Sequence, residues 1–329
     1  MELKDIVDKF RGKRILVLGD LMLDKFIWGD VSRISPEAPV PIVHVTSQSN
    51  LLGGAANTAN NLRSLDAEVF IAGVIGKDKV GKELLEELRI KGINTDDIIV
   101  DKERPTTLKT RVISLNQQII RIDKESRKEI NDSISNKILG YIEKISSDVD
   151  GLIISDYGKG VITHRILENI SRIARSNSVP IVVDPNLRNF LSYKNITAFV
   201  SNQQDTVEAL GIKVINETSL RNIGYKLVSS LDCEGVVITR GRKGMVVFDK
   251  DGNLSHIPAI PRDVFDVTGV SDTVTSTFTL ALTSGANLVE AARLANYAGW
   301  IVVGKVGTAT VNRNELLEIL NEKNEKGID

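Results

Sequence analysis

The sequence predicts an α/β fold in which a doubly wound, mainly parallel β-sheet carries helices on both faces and a small β-sheet lid. Three observations lead to this prediction. Short apolar runs alternate with longer amphipathic stretches, polar residues follow the apolar runs, and two segments rich in β-branched residues interrupt the alternation. Short buried strands that alternate with helices are typical of a parallel sheet covered on both sides.

Each apolar run is predicted to be a strand of the main sheet and is paired with a helix candidate. The predicted strands are residues 14–19, 69–74, 151–155, 180–184, 198–201 and 235–239. The predicted helices are residues 55–65, 79–91, 163–176, 204–210 and 218–231. Residues 272–303 are mostly small and apolar, and they predict two packed helices, the second around 288–302.

Residues 24–45 and 106–123 lack helical periodicity and predict the lid. The second segment, TTLKTRVISLNQQIIRID, alternates well enough for a hairpin with its turn near Asn116. Two β insertions in a doubly wound sheet are expected to pack together as a small sheet. Because exposed strand edges can pair with a second copy of the chain, we predict a homodimer joined through the lid.

Composition excludes several classes of protein. A formal net charge of −1 over 329 residues gives no overall field that would attract nucleic acid or a membrane surface. Cys233 is the only cysteine, so no intrachain disulfide can form, and three scattered histidines make a zinc site improbable. The N-terminus MELKDIVDKFRGKR lacks the apolar core of a signal peptide, and no apolar run is long enough to cross a membrane. We therefore expect a cytoplasmic protein.

Ligands of open parallel sheets bind at the carboxyl ends of the strands. Unusual polar residues stand there in this chain: Asp20 and Asp24 after the first strand, Asp156 and Lys159 after GLIIS, Asp184 after PIVV, Asn202 after AFVS and Thr239 after GVVI.

The segment DVFDVTGVSDTVTSTF, residues 263–278, has the most distinctive chemistry. A turn containing Gly269 leads into a helix that begins near Val270 or Ser271. The amides of a first helical turn lack internal partners and form an anion site. Asp272 beside that site would suit a base that takes a proton from a hydroxyl while the amides stabilise a phosphoryl group. Taken alone, the segment favours the simpler alternative of a helix N-terminal acid.

Two glycine-containing segments are weaker signals. In LLGGAANTANNLRSL, residues 51–65, Gly53 and Gly54 permit close approach to a ligand, and Asn57 could bond a hydroxyl. An ordinary turn before a helix explains that segment equally simply, and it matches neither the dinucleotide fingerprint nor the Walker A loop. TRGRKG, residues 239–244, suits either a loop against phosphates or ribose or a plain hairpin leading to MVVF.

Together these segments resemble the PfkB, or ribokinase-like, carbohydrate kinases. LLGGAANTANNLRSLDAEV resembles the N-terminal glycine signature of the family, and DVTGVSDT resembles its C-terminal D-x-x-G-A-G-D signature. Within the family the chain is most similar to the D-glycero-D-manno-heptose-7-phosphate kinases, alone or as the kinase half of bifunctional ADP-heptose synthesis enzymes. GDLMLDKFIWGDVSRISPEAPVPIV, TLKTRVISLNQQIIRID, SDYGKGV and GKVGTATV carry that likeness.

The resemblance implies one ribokinase-like kinase domain over residues 1–329 that uses ATP and Mg²⁺ to phosphorylate a sugar or sugar phosphate. It implies a catalytic role for Asp272 as the base, beside an anion hole formed by the amides of Gly269, Val270 and Ser271. Sugar hydroxyls would be bound by Asp24, Gly53, Gly54 and Asn57. Lys109 and Arg111 would reach the sugar or its phosphate, unless the lid is purely a dimer surface.

On the nucleotide side, the resemblance implies that Asn202 and Asp205 organise magnesium and phosphates, with Asp in place of the glutamate of the family's N-x-x-E motif. Thr239, Gly241 and Gly244 would hold the nucleotide phosphates, with Asn296 near the adenine. Asp266 and Thr268 match positions around a monovalent cation, so K⁺ is a further expected cofactor.

Two departures from the family pattern leave alternatives open. The heptose-kinase-like enzymes usually carry lysine after the D-P pair, but this chain reads DPNLR, so Asn186 and Arg188 are expected to alter substrate choice. G-A-G-D has become Gly269-Val270-Ser271-Asp272. The alternatives are another PfkB sugar kinase acting on a ketose, ribose or a 2-keto-3-deoxy sugar acid, a nucleoside kinase, or a non-catalytic sugar- or nucleotide-binding member.

Two further expectations concern the extent of the chain and the sugar pocket. Because the chain ends at Asp329, soon after VGTATVNRNELLEIL, a heptose kinase of this kind is expected to stand alone. A pocket opposite Asp272 lined by Lys109, Arg111, Arg188 or Lys159 would indicate a phosphorylated sugar.

Overall fold

The computed structural model describes residues 2–115, 117–212, 216–262, 265–305 and 307–325. The strands are β1 (Arg14–Gly19), β2 (Leu21–Ile34), β3 (Pro41–Gly54), β4 (Glu68–Ala72), β5 (Val74–Gly76), β6 (Ile99–Asp101), β7 (Thr107–Ser114), β8 (Gln117–Lys124), β9 (Gly151–Ser155), β10 (Ile181–Asp184), β11 (Ala198–Asn202), β12 (Gly235–Thr239), β13 (Met245–Asp249) and β14 (Leu254–Ile257). The helices are α1 (Leu3–Asp8), α2 (Ala55–Ser64), α3 (Lys79–Ile90), α4 (Asp132–Ile145), α5 (His164–Ser176), α6 (Gln203–Leu210), α7 (Glu217–Leu231), α8 (Val270–Thr283), α9 (Leu288–Val302) and α10 (Arg313–Glu325).

The main sheet has eight strands in the order β14-β13-β12-β11-β10-β9-β1-β4. Its strands are parallel from β4 to β12, and β13 and β14 are added antiparallel at one edge. Successive residues of a strand point to opposite faces, so each buried strand supplies two cores. In β1, Ile15 and Val17 join the core that contains α2, α8 and α9, whereas Leu16 and Leu18 join the core that contains α4, α5 and α7. The predicted doubly wound arrangement is confirmed.

The lid is a separate four-stranded sheet in the order β3-β2-β7-β8. β2 pairs antiparallel with β3 and parallel with β7, and β7 forms the predicted hairpin with β8. The strands are longer than the predicted segment 24–45, and β3 continues to Gly54, where α2 begins. The predicted turn residue Asn116 lies outside the described residues.

The predicted strands and helices of the main sheet agree with the structure to within two residues at their ends, but one predicted strand is divided. The predicted strand 69–74 ends at Ala72, and a separate strand β5 then pairs with β6 in a third, two-stranded sheet. The chain leaves the main sheet at Gly73, where a Cβ atom would stand 2.6 Å from the Leu21 side chain. No helix in the described part of the chain combines the length and the apolarity needed to cross a membrane.

The N-termini of α2 and α8 lack the side-chain caps that several other helices have. Asn131, Thr163, Asn202 and Asn287 each accept a hydrogen bond from a first-turn amide of the helix that they precede. α2 and α8 instead follow Gly54 and Gly269, and neither has a side-chain cap. The first-turn amides of α8 are therefore left without a capping side chain, as an anion site requires.

Candidate active site

Asp272 lies in the first turn of α8 and is only 2% exposed. Its carboxylate accepts three hydrogen bonds: from Asn57 Nδ2 at 2.7 Å, from Thr58 Oγ1 at 3.0 Å and from Tyr157 Oη at 2.7 Å. Burial raises the pKa of Asp272 from its usual 3.8 to about 6, although the three donors act in the opposite direction. A carboxyl with such a pKa is largely ionised at neutral pH and can still accept a proton.

Gly269 gives α8 its conformation at the N-terminus. Its φ of +78° lies in the left-handed region, where a side chain is strained, and a Cβ atom would stand 2.7 Å from Asn57 Nδ2. Asn57 is fully buried, and its Oδ1 has no hydrogen-bond partner in the described residues. Asn57 therefore donates to Asp272 and keeps an acceptor free, as expected of a residue that bonds a sugar hydroxyl.

The two side chains that depart from the G-A-G-D pattern, those of Val270 and Ser271, are directed to other parts of the protein. Val270 packs on the core that contains α9, and its Cγ1 faces Gly299. Ser271 donates from Oγ to the carboxylate of Asp184, at 3.0 Å from Oδ1 and 2.9 Å from Oδ2. Burial and the charge of Asp272 raise the pKa of Asp184 well above its usual value. Both substitutions thus leave the first-turn amides of α8 uncovered by their own side chains.

On the sugar side, Asp24 is 3% exposed and pairs with Arg111, whose Nη1 lies 2.5 Å from Oδ1. The Arg111 guanidinium also lies over the ring of Phe26. A Cβ atom at Gly53 would stand 2.5 Å from Asp24 Oδ2, and one at Gly54 would stand 2.7 Å from the Asp20 carbonyl oxygen. The glycine pair therefore lets the end of β3 pack against β2 and Asp24, a reason that the sequence did not reveal.

Lys109 lies beside Asp24 in the pairing of β7 with β2. Its Nζ is 3.9 Å from Asp123, and Lys159 Nζ is 2.7 Å from Glu125, two residues after Asp123. Burial and the nearby ammonium of Lys159 lower the pKa of Lys109. Two poorly exposed ammonium groups thus stand together at the junction of the lid with the loop after β9, and both are balanced by carboxylates.

Two predicted substrate residues, Asn186 and Arg188, have contacts that do not involve Asp272. Asn186 Oδ1 accepts from the Arg188 amide and lies against Gly158. Arg188 is half exposed and binds Glu129 at 2.9 Å and the Arg127 carbonyl at 3.3 Å. No contact between Arg188 and Asp272 occurs in the described residues.

The predicted nucleotide residues follow adjacent strands. Asn202 pairs with Thr239 in the register of β11 and β12, and it donates to Asp205 Oδ2 at 2.7 Å. Residues 239–244 form the hairpin that joins β12 to β13, and a Cβ atom at Gly244 would collide with the Ile257 carbonyl. At Gly241 nothing lies within 4 Å of such an atom, so this glycine faces open space. Asn296 donates to the Pro258 carbonyl at 3.0 Å.

Asp266 holds the loop before α8 together. Its Oδ1 accepts from the Thr268 amide at 2.9 Å and its Oδ2 from the Gly307 amide at 3.0 Å. These hydrogen bonds lower the pKa of Asp266 against the effect of burial. The lowered pKa favours the ionised carboxylate, and a negative charge here suits a cation site. Both carboxylate oxygens, however, already accept hydrogen bonds from backbone amides.

Sequence reasoning missed three side chains that touch the site. Thr58 and Tyr157 donate to Asp272, and the Asp184 carboxylate was noted only for its place at a strand end. Tyr157 lies in SDYGKGV, which was singled out as a resemblance without a role for the tyrosine. No local pattern could have joined these residues to Asp272, because the contacts span 115 and 214 positions of the chain.

A cavity elsewhere in the molecule is lined by other residues than those of the predicted site. It has a volume of about 930 Å³ and opens at the amino ends of β10 to β12, with Pro180, Thr197 and Cys233 in its wall. No predicted site residue is among the described residues that line it. The site at Asp272 is instead nearly closed, since Asp24, Asn57 and Asp272 are each at most 3% exposed.

Comparison with known proteins places these features in a family. The family model described as pfkB family carbohydrate kinase matches residues 13–316. The bifunctional protein HldE of Geobacter metallireducens is 42% identical over 320 residues, which cover 96% of this chain and 65% of that protein. HldE of Helicobacter pylori is 39% identical over 314 residues, with 95% and 68% covered. The chain thus spans about two thirds of the length of these curated relatives.

Solved structures share the fold. Phosphofructokinase-2 from Escherichia coli in complex with potassium has a TM-score of 0.80 at 19% identity, covering 94% of this chain and 99% of that one. Arabidopsis thaliana ribokinase complexed with ribose and ATP has a TM-score of 0.74 at 18% identity, with the same coverage. At such identities the likeness shows the fold alone, and it confirms the ribokinase-like architecture expected from the sequence.

Proposed function

The chain belongs to the pfkB family of carbohydrate kinases, and we propose that it transfers the γ-phosphoryl group of ATP to a hydroxyl of a sugar phosphate, with Asp272 as the base. The observation that carries the proposal is the arrangement at α8. A buried carboxyl with a pKa of about 6 stands beside first-turn amides that no side chain caps. A base and an anion site side by side are what phosphoryl transfer to a hydroxyl requires.

The reaction proceeds as a displacement at phosphorus. The substrate hydroxyl oxygen attacks the γ-phosphorus while the bond from that phosphorus to the β,γ-bridging oxygen breaks, and ADP leaves with that oxygen. The hydroxyl proton passes to Asp272. The amides of Gly269, Val270 and Ser271 hold the transferring group. Asp24 and Asn57 orient the sugar, and Arg111 fixes Asp24 through the 2.5 Å contact.

We propose a phosphorylated sugar, and heptose 7-phosphate in particular, as the substrate. The relatives named HldE support this choice. So do Lys109 and Lys159, because two ammonium groups in a poorly exposed position suit a dianionic phosphate. Lys109 is better suited than Arg111 and Arg188, because its Nζ is 3.9 Å from its carboxylate partner, whereas the contacts of the two arginines with Asp24 and Glu129 are 2.5 and 2.9 Å. A ketose, ribose or sugar-acid kinase, a nucleoside kinase and a non-catalytic binder are the other outcomes of the test below.

Mg²⁺ fits the donors of the nucleotide side. In the described residues, no three histidine, cysteine, aspartate or glutamate side chains are grouped to hold a metal. This suits an ion held mainly by phosphate oxygens and water. Asn202 and Asp205 would hold it, and it would neutralise charge on the ATP phosphates. We extend the proposal to a K⁺ ion near Asp266 and Thr268, to be checked by comparing turnover in K⁺ and Na⁺ buffers.

A coupled assay of ADP release tests the function. The panel comprises heptose 7-phosphate, fructose 6-phosphate, ribose, 2-keto-3-deoxygluconate and a nucleoside. We expect turnover with the heptose phosphate and a loss of about 10²–10⁴-fold in kcat for Asp272→Asn, with ATP binding by calorimetry retained. Binding of ATP and sugar without ADP release from any acceptor would instead identify a non-catalytic member.

A substitution at Lys109 tests whether the enzyme prefers a phosphorylated sugar. Lys109→Met should raise KM for the phosphorylated sugar about 10- to 100-fold, the effect of losing one charged hydrogen bond, with little change for an unphosphorylated analogue. Lys25→Met is the matched control, because Lys25 follows Asp24 on β2 and so faces the opposite side of the lid. Equal effects on both sugars would contradict a phosphate contact.

We further propose a homodimer formed through the lid, in a cytoplasmic enzyme. β3 and β8 are the edge strands of the lid sheet. Ile120 and Ile122 on β8 are 52% and 55% exposed, which is unusual for isoleucine in a monomer. A second copy of the chain would cover them.

A further inference from the structure

The loop after β9, residues 156–161, is held by two buried carboxylates that the proposed reaction does not use. Asp20, 1% exposed, accepts hydrogen bonds from the amides of Tyr157 at 2.9 Å, Lys159 at 3.0 Å and Val161 at 3.2 Å. Asp156 accepts from the Gly158 amide at 2.7 Å and from the Tyr193 hydroxyl at 2.6 Å. Burying two carboxylates costs free energy of folding. We therefore expect the position of this loop to matter for function.

The loop delivers the hydroxyl of Tyr157 to Asp272. Tyr157 Oη donates to Asp272 Oδ1 at 2.7 Å, the same oxygen to which Thr58 donates. Burial and the surrounding carboxylates of Asp272, Asp184 and Asp24 raise the pKa of the Tyr157 phenol well above its usual value. The phenol therefore stays protonated at neutral pH, and it acts towards Asp272 as a donor.

We propose that Tyr157 is a positioning residue that keeps Asp272 ionised and oriented, and that Asp20 anchors the loop for this purpose. The role as base rests on the proposed function. A donor to a carboxylate favours its ionised form, whereas burial favours the neutral acid. Without the phenol, burial would leave more of Asp272 protonated near neutral pH and unable to accept the hydroxyl proton.

Asn57, Tyr157 and Thr58 together favour the ionised form of Asp272, and the other groups that face it do not. The lid presents Asp24, which is paired with Arg111, and β10 presents Asp184, which is bonded to Ser271. The Asp24 carboxylate opposes ionisation of Asp272. α2 contributes the neutral donors Asn57 and Thr58. Of the three donors to Asp272, the Tyr157 phenol alone comes from the loop that Asp20 anchors.

The test measures the titration of Asp272 directly. Protein labelled with ¹³C at the aspartate carboxyl carbon is titrated by NMR, and the Asp272 resonance is assigned by its loss in Asp272→Asn. We expect Tyr157→Phe to move the Asp272 midpoint upward by about one pH unit, the effect of losing one hydrogen bond to a charged group. In the assay the acid limb of kcat/KM should move upward equally. An unchanged midpoint would overturn the proposal.

Tyr193→Phe is the matched control. It removes the same phenol-to-carboxylate hydrogen bond from a buried tyrosine, but the carboxylate is Asp156. It should lower stability and move the Asp272 midpoint much less than Tyr157→Phe does, because the three hydrogen bonds to Asp20 still hold the loop. An equal shift in both variants would indicate general loosening and overturn the proposal.

3-Fluorotyrosine at position 157 is a second probe that keeps the ring and its packing. A more acidic phenol is a stronger donor, so the midpoint should fall. A rise or no change would count against the proposal. Because the NMR midpoint does not need turnover, a wild-type protein without kinase activity would refute the proposed function while still deciding the role of Tyr157.

Discussion

At the scale of single residues, the buried carboxyl of Asp272, the proposed base, lowers the stability of the folded protein at neutral pH. The carboxyl is buried, and its pKa of about 6 in the folded chain exceeds the 3.8 expected when it is exposed. The folded state therefore binds more protons than the unfolded state between these values, and the contribution of Asp272 to stability falls as pH rises through them. The proposed role as a base accounts for a carboxyl at this costly position.

Replacing that carboxyl should stabilise the protein. The shift of about two pKa units corresponds to roughly 3 kcal/mol at neutral pH, and relaxation will reduce the observable gain to about 1–3 kcal/mol. Asparagine can keep the hydrogen bonds, because the Asn57 amide can turn its unpartnered Oδ1 towards the new amide group. We expect Asp272→Asn to raise the melting temperature at pH 7.5.

Differential scanning calorimetry at pH 7.5 and pH 4.5 checks this prediction. The gain should shrink at pH 4.5, where Asp272 is protonated in the folded wild-type protein. A gain of the same size at both pH values would show that packing, rather than ionisation, is responsible.

At the scale of elements, the N-terminus of α8 answers the question that the altered signature raised. Alanine and glycine are replaced by Val270 and Ser271, and the sequence left open whether a phosphate can still reach the amides. The structure turns Val270 towards α9 and Ser271 towards Asp184, while Gly269 keeps the left-handed conformation. The side chains of Val270 and Ser271 therefore contact neighbouring elements, and the first turn of α8 has no side-chain cap.

Restoring the family signature should consequently change activity little. Ser271→Gly removes the hydroxyl that holds Asp184 and adds flexibility, at a cost of about 1 kcal/mol in stability. Val270→Ala removes packing against α9 and costs a similar amount. We expect kcat for either variant to stay within about tenfold of wild type in the ADP-release assay, with urea denaturation reporting the stability. A gain of 100-fold or more in Ser271→Gly would mean that the serine obstructs phosphate.

The bounds of some strands and helices could be predicted from the sequence and those of others could not, and the difference has physical reasons. β1, β9, β12 and α9 have the predicted bounds, because apolar runs bounded by glycine or polar residues mark buried strands and helices well. β5 was merged with β4, since the break at Gly73 depends on the tertiary contact with Leu21. The same limit applies to the site: Asp272 and Asn57 were predicted from motifs, whereas Tyr157 and Thr58 reach Asp272 only in the folded chain.

At the scale of the whole molecule, the lid covers a site assembled from distant parts of the chain. Asn57 and Asp272 are 215 positions apart, and Arg111 reaches Asp24 across the lid sheet. Asp24 from the lid and Asp272 from α8 are both almost completely buried. The Lys159–Glu125 pair, at 2.7 Å, links the residue after β8 to the loop after β9.

The outer face of the lid gives the last prediction, which concerns assembly. The strand registers place Ile120 and Ile122 on the face opposite Lys109, together with Ile27 and Val112. An apolar face on an edge strand favours association with a second copy, and covering it removes both the exposed edge and the apolar surface. We expect light scattering at micromolar concentration to give twice the mass of the chain for wild type and the monomer mass for Ile120→Asp/Ile122→Asp. Ile90→Asp is the control, because Ile90 ends α3 outside the lid and is 69% exposed. It should leave the mass of the dimer unchanged. A monomeric wild type, or a double variant that keeps the wild-type mass, would remove the lid from any role in assembly.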